Sequence, residues 1–361
     1  MDAALNRIVE QIVAARARGA TLDIRGGSTK SFYGGPPQGE PLEVAPLAGI
    51  SSYEPSELVV TARAGTLLNE IEAALAEKNQ YLAFEPPRFG TGGTVGGMVA
   101  AGLAGPSRLA VGGVRDYVLG ATLVNGRAEV LSFGGQVMKN VAGYDVSRLL
   151  AGSMGILGVI AEVSLKVLPL PQASLTLRLE MDAASAIRHL NEWGGQPLPL
   201  NASAWWDGML VLRLSGAAAA VRAAQQRIGG EVIDAATAAS FWAGLRDHRD
   251  EFFVGAARAA EGGAALWRLS VPPPTAPLKL SGEQLLEWGG AQRWICTSAP
   301  AASLREAAAA AGGHAVLFLA RDKSAGSFAP LTPALERIHR ELKRAFDPDG
   351  LFNPGRLMPG L

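Results

Sequence analysis

From its first residues the chain sets apolar side chains at helical spacing. Leu5, Ile8, Val9, Ile12 and Val13 share one face of residues 2–18 and predict an amphipathic helix. LDIRGG (22–27) then reads as a short strand running into a glycine turn. SELVVTARAGT (56–66) predicts a strand, and TLLNEIEAALAEKN (66–79) a helix opened by Thr66 with Glu70 in its first turns. VRDYVLGATLVNGRAEVLSFGG (114–135) predicts a hairpin with Asn125–Gly126 in a two-residue turn. GILGVIAEVSLKVLPLP (155–171) is strand-like and ends in prolines. Strands and helices mixed in this way predict an α+β or α/β domain.

Beyond Pro171 the texture changes. ASLTLRLEMDAASAIRHLNEW reads as strand then helix, and SAWWDGMLVLRLSGAAAAVRAAQQRIGG repeats that order. With LWRLSVPPP following, these fit a separate antiparallel sheet backed by helices. LTPALERIHRELKRAF predicts a last helix before a turn-rich tail, its basic run RIHRELKR forming the wet face.

A length of 361 residues suits two domains, and 48% hydrophobic against 18% charged residues marks a globular chain. Thirty-three basic residues balance thirty-three acidic ones, which gives nucleic-acid binding no support. Cys296 is the only cysteine, so the chain alone forms no disulfide and holds no cysteine-ligated iron–sulfur cluster. The N-terminus lacks a signal-peptide pattern and no run of eighteen apolar residues occurs. The expectation is a cytoplasmic protein, peripheral to the inner membrane only through a partner.

The stretch GGTVGGMVAAGLAG (92–105) places six glycines in fourteen residues. No Gly-Lys dipeptide and no G-x-G-x-x-G opening a helix accompany it, so neither a Walker A loop nor a dinucleotide fingerprint is present. Instead three bare segments occur: RGGSTKSFYGG (25–35), FGTGGTVGGMVAAGLAGP (89–106) and KNVAGYDVSRLLAGSMGILGVI (139–160). Glycine lets backbone amides approach an anion or a flat ring. Turns and close packing would explain one such segment; three together point to a large ligand with phosphates and a ring.

These segments, in this order and with KRAFDPDGLFNPGR (343–356), resemble the FAD-linked oxidases whose flavin domain is of the vanillyl-alcohol oxidase and p-cresol methylhydroxylase (PCMH) type. Within that family the likeness is to the shorter flavin-type subunits of bacterial glycolate oxidase complexes, and it covers nearly the whole chain. It implies an α+β fold: a two-lobed FAD-binding domain over 1–171, a smaller antiparallel-sheet cap domain with helices over 172–330, and a C-terminal helix and tail, 331–361, returning to the FAD domain. It implies that Arg25, Gly26, Gly27, Ser28, Thr29 and Lys30 hold the FAD pyrophosphate, with Lys30 open to a second reading as a surface lysine. Gly92, Gly93, Thr94, Gly96 and Gly97 would let the backbone cross the flavin; valine at Gly96 is then expected to cost flavin binding more than folding. Gly152, Ser153, Gly155 and Gly158 match the family pattern, with Met154 where an acidic residue is common; Ser153, Gly155 and Ile160 would lie along the FAD. Asn353 resembles an asparagine returning to the flavin, while Arg356 reads equally as a surface arginine. Relatives that attach flavin covalently often carry a histidine in the first loop; Ser28 and Thr29 stand there, so FAD is expected to be noncovalent.

Oxidising a 2-hydroxy acid needs a cation for the carboxylate and a base for the hydroxyl proton. Arg268, on the apolar strand LWRLS, and His248, in the polar cluster Arg246–Asp247–His248, are the candidates, with a solvated loop histidine the plainer reading of His248. The four histidines, 189, 248, 314 and 339, show no close metal-ligand spacing, so no metal is expected. Two functions stay open. Either this chain oxidises glycolate to glyoxylate and passes electrons to a separate iron–sulfur subunit, or it is a flavin-binding or structural subunit supporting a longer catalytic flavoprotein.

Overall fold

A computed structural model describes residues 2–135 and 144–361. Residues 139–143 of the third glycine segment lie outside the described residues. The chain divides into two compact units, Met1–Leu103 with Gly113–Pro169 and Pro330–Leu361, and Ala104–Gly112 with Leu170–Ala329.

The first unit begins with the helix Ala3–Arg18, capped by Asp2 and ended by Gly19 at φ 65°, where glycine is unstrained. Ile8, Ile12 and Ala15 are its buried face. Strands Leu22–Arg25 and Glu40–Glu43 then pair in parallel. The C-terminal tail joins the same strand: the Leu22 amide donates to the Leu351 carbonyl at 2.7 Å, and the Asn353 amide to the Leu22 carbonyl at 2.8 Å. A separate antiparallel sheet runs Ile50–Glu54, Val59–Arg63, Val159–Lys166, Val118–Val124 and Val130–Gly134 across its width.

Three local expectations change. The second helix spans Leu68–Ala76 and starts at Leu67, because the Thr66 hydroxyl is engaged with the backbone of Gly49. The hairpin loop is longer than two residues, pairing Val124 with Val130. Asn125 folds that loop around its own side chain, accepting from the amides of Arg127 and Glu129, and Gly126 lies against Asp347. Helix Pro333–Phe346 does not hold all its basic residues in water. Lys343 is buried, donating to Asp347 and the Ile156 carbonyl at 2.7 Å and to the Phe352 carbonyl at 2.9 Å. Burial pushes its ammonium pKa down, and Asp347 opposes that shift.

The second unit is one eight-stranded antiparallel sheet, ordered Glu231–Ile233, Ala173–Glu180, Met209–Gly216, Leu200–Trp206, Glu283–Glu287, Gln292–Thr297, Ala265–Ser270, His314–Leu319. SAWWDGMLVLRLSG is two strands, not one. Asp207 at φ 47° and Gly208 at φ 78° make the tight turn, with Trp206 paired to Met209. Leu177, Leu210, Leu212 and Leu214 pack under Ala186, Leu190, Val221 and Ala224 of two helices. Trp267, Leu269, Ile295 and Leu317 pack with Leu304 and Ala308 at the other end of the sheet. Ala104–Gly112 groups with this unit because Trp288 donates its indole N–H to the Gly105 carbonyl at 3.1 Å and Arg108 lies 4.7 Å over its ring.

Candidate functional site

A cavity of about 410 Å³ lies within the first unit. The sequence builds it from four pieces of backbone that need each other. The first loop leaves strand Leu22–Arg25 and is crossed by the second: a Cβ on Gly27 would fall on the Gly92 carbonyl, and one on Gly26 on the Thr94 hydroxyl. The second loop is pinned below by amides of Leu68, Val95 and Gly96 bonded to Gly93, Thr66 and Ala64 carbonyls at 2.8–2.9 Å. Thr94 caps helix Val95–Ala101 by accepting from the Gly97 amide at 3.3 Å. The third loop hangs on that helix, with the Met154 amide donating to Ala100 at 2.9 Å and Gly152 to Val99 at 3.0 Å. Asn353 closes the ring, its Oδ1 accepting from Ile24 at 2.7 Å and its Nδ2 donating to the Met154 carbonyl at 2.7 Å.

Arg25, Gly26, Gly27, Ser28, Thr29 and Lys30 all line the cavity, as do Thr94, Gly96 and Gly97. Gly155, Gly158, Ile160 and Asn353 line it from the third loop, the following strand and the tail. Gly92, Gly93, Gly152 and Ser153 do not. At Gly92 and Gly93 an added Cβ would make only ordinary contacts, none closer than 3.4 Å; Gly152 holds φ 81°, and Ser153 turns inward, accepting from the Gly155 amide at 3.4 Å. Gly96 also changes role. A Cβ there would meet Ala64 Cβ at 2.6 Å, so a larger residue costs packing first. At Gly97 an added Cβ meets only the Thr94 hydroxyl, at 3.2 Å, and that is where bare backbone faces the cavity.

Sequence reasoning missed Asp23 and misread Arg356. Both are buried and both line the cavity. Asp23 accepts from Arg25 Nε at 2.6 Å, and that bond raises the Arg25 pKa. Burial lowers the pKa of Arg356, with Asp23 opposing the shift. Lys30 is held beside the second loop, its Nζ 3.5 Å from the Arg88 carbonyl and 5.6 Å from the Phe89 ring centre. The lining therefore carries three cations, Arg25, Lys30 and Arg356, against the one carboxylate of Asp23. That charge balance and the exposed glycine backbone suit a diphosphate joined to flat rings. Ser28 at φ 54°, Met154 at φ 54° and Asn353 at φ 45° all hold left-handed backbone around the cavity, strain of a kind that gathers at binding sites.

The two proposed reaction residues are not part of this lining; both belong to the second unit. Arg268 lies on strand Ala265–Ser270 with its guanidinium 5.9 Å from the Phe318 ring centre. His248 lies in the turn after helix Ala235–Arg246, half-buried rather than fully solvated. Its ring stacks on Phe253 at 3.8 Å and meets Trp294 edge-on at 4.8 Å. Burial first, then Arg268, lowers its pKa to about 3, so it stays neutral at physiological pH. Arg246 grips the buried Asp247 through two bonds of 3.0 and 2.8 Å, a structural ion pair. Among the described residues no three His, Cys, Asp or Glu side chains come together as a metal site.

A family model described as an FAD binding domain matches residues 5–134. The chain is 46% identical to the glycolate oxidase subunit GlcE of Escherichia coli (strain K12) over 350 residues, covering 97% of this chain and 96% of that protein. Over 168 residues it is 34% identical to a D-lactate dehydrogenase of Anaerostipes hadrus, covering 46% of this chain and 34% of that one. A solved structure of alkyldihydroxyacetonephosphate synthase superposes with a TM-score of 0.63 at 14% identity, covering 96% of this chain and 74% of the synthase.

Proposed function

Because the chain belongs to the FAD-linked oxidases with a PCMH-type fold, and FAD is its cofactor, we propose that it is the flavin-binding subunit of a complex oxidising glycolate to glyoxylate. The observation that carries this reading is the near full-length likeness to a glycolate oxidase subunit, joined to a cavity whose lining fits the cofactor. The first unit is assigned the cofactor and the second the cap role. Arg25 and Lys30 face the diphosphate, and Gly97, Gly155 and Gly158 give the rings bare backbone to lie on. No histidine, cysteine or tyrosine is among the described residues lining the cavity, which supports noncovalent FAD. A flavin held there would supply the hydride acceptor needed to oxidise the hydroxyl carbon of the acid to a carbonyl.

As the family resemblance implies, electrons leave in this reading through a separate iron–sulfur subunit; this chain, with one cysteine, would not ligate a cluster itself. A longer flavoprotein completes the complex. No helix among the described residues is long and apolar enough to cross a membrane, so attachment to the inner membrane would come through those partners.

One observation favours a second reading, in which the longer flavoprotein does the chemistry. His248, the base proposed from sequence, packs among aromatic rings, and burial lowers its pKa so far that it is a poor proton acceptor. Anaerobic titration of the purified FAD-loaded chain with glycolate separates the two readings. Bleaching of the flavin absorption band is expected if this chain turns over its substrate. An unchanged band, with bleaching restored on adding the longer flavoprotein, moves the chemistry to the partner.

A further inference from the structure

Arg356 stands 325 residues from Ser31 in the chain, yet its guanidinium organises the segment 31–35. Nη1 donates to the Ser31 carbonyl at 3.0 Å and to the Gly35 carbonyl, and Nη2 donates to the Tyr33 carbonyl at 2.8 Å. The Gly35 amide returns a bond of 2.9 Å to the Arg356 carbonyl. Arg356 is only 7% exposed, so these carbonyls have little water to fall back on. Three residues earlier, Asn353 holds the other flank of the same loop through the Ile24 amide, and reaches the third loop through Met154. One short piece of tail thus fastens the first glycine loop at both ends. Between those fastenings Ser28 sits at φ 54°, a conformation that a non-glycine residue relaxes from when its surroundings allow.

We propose that Arg356 is a positioning residue for the cofactor: with Asn353 it clasps the first glycine loop in its binding shape, so the C-terminal tail sets the affinity for FAD. The inference rests on the placement of FAD in this cavity. Apparent affinity falls in proportion to the fraction of chains whose loop is competent to bind. The forked geometry matters as well as the charge, because lysine keeps the cation but cannot reach several carbonyls in one plane.

The test is titration of the full-length apoprotein with FAD, followed by quenching of flavin fluorescence, for wild type and Arg356→Lys. Arg356→Lys is expected to bind FAD about tenfold or more weakly while its apoprotein still melts cooperatively, the loss of a buried charged hydrogen bond being of that order. A wild-type Kd in this variant, even with a lowered Tm, would overturn the clasp and leave Arg356 a stabilising residue only. Should Arg356→Lys fail to fold, hydrogen exchange on the wild type decides. FAD added to the apoprotein should slow the amides of 31–35 and 351–356 together with those of 25–30; protection confined to 25–30 and 94–97 overturns the proposal. Failure of the wild type to bind FAD overturns the cavity placement itself, a different result from a variant that binds normally.

Discussion

Two adjacent glycines carry different physical demands. Gly96 is bare because Ala64 lies against it, and Gly97 because the cavity does. Gly96→Val is expected to lower the stability of the apoprotein by about 1–3 kcal/mol, read by urea denaturation, as overpacking does. Gly97→Val should cost less stability than Gly96→Val, pressing only on the Thr94 hydroxyl, and weaken FAD by about tenfold or more, a change of about 1.4 kcal/mol in binding. His248 supplies a pH test. Its folded pKa, about 3, lies below its ordinary value of 6.5, so the unfolded chain binds the extra proton. The stability this contributes is complete above pH 6.5 and is lost as pH falls towards 3, by up to about 1.4 kcal/mol per unit. Arg268 deepens the effect and Asp247 opposes it. His248→Phe should show a smaller loss of stability between pH 7 and pH 5 than the wild type; an equal loss would place the titration elsewhere. No sequence pattern separates Gly96 from Gly97, or a wet histidine from a caged one. Those distinctions depend on Ala64 and Phe253, which reach them through the fold.

At the scale of elements, what could be read were the parts whose signal is local. The helix Ala3–Arg18 shows its apolar face in the sequence at Ile8 and Ile12, although Val13 is exposed, and the strands around the glycine loops show β-branched runs. Turns were harder. Asn125–Gly126 has the favoured hairpin dipeptide yet makes a longer loop, because Asn125 bonds amides ahead of it and Gly126 gives way to the tail at Asp347. The tight turn falls at Asp207–Gly208, inside a stretch that reads as one continuous strand. The helix Pro333–Phe346 hides its most consequential residue among ordinary surface charges. Lys343 and Asp347 are both buried, and Asp347 also accepts from the amides of Leu351 and Phe352 at 3.0 and 2.8 Å. Lys343→Ala strands that carboxylate, and a loss of about 3 kcal/mol is expected by chemical denaturation. A loss near zero would mean that the backbone amides alone satisfy Asp347.

At the scale of the molecule, the glycine segments announce a ligand because three of them recur, while the reason they form one site is topological. Ile24, Met154 and Asn353 lie far apart in sequence and are joined by two hydrogen bonds from a single side chain. Such closure leaves no trace in spacing, which is why Asn353 could be placed by resemblance and Arg356 could not. The reaction residues were the least legible part. Arg268 and His248 were chosen for their chemistry; both fall in the second unit, within the cap bounds read from sequence, but only the fold shows His248 packed against aromatic rings. The cofactor site, in contrast, depends on the first unit's own backbone, and it is there that the account is most exposed to test. The decisive measurement is the flavin content of the purified chain after acid denaturation, compared with an FAD titration of the resulting apoprotein. The expected result is one FAD released per chain, none left on the polypeptide, and saturable rebinding at one site. Flavin retained on the denatured chain, or an apoprotein that does not rebind FAD, would contradict a noncovalent cofactor held between the glycine loops and the C-terminal tail.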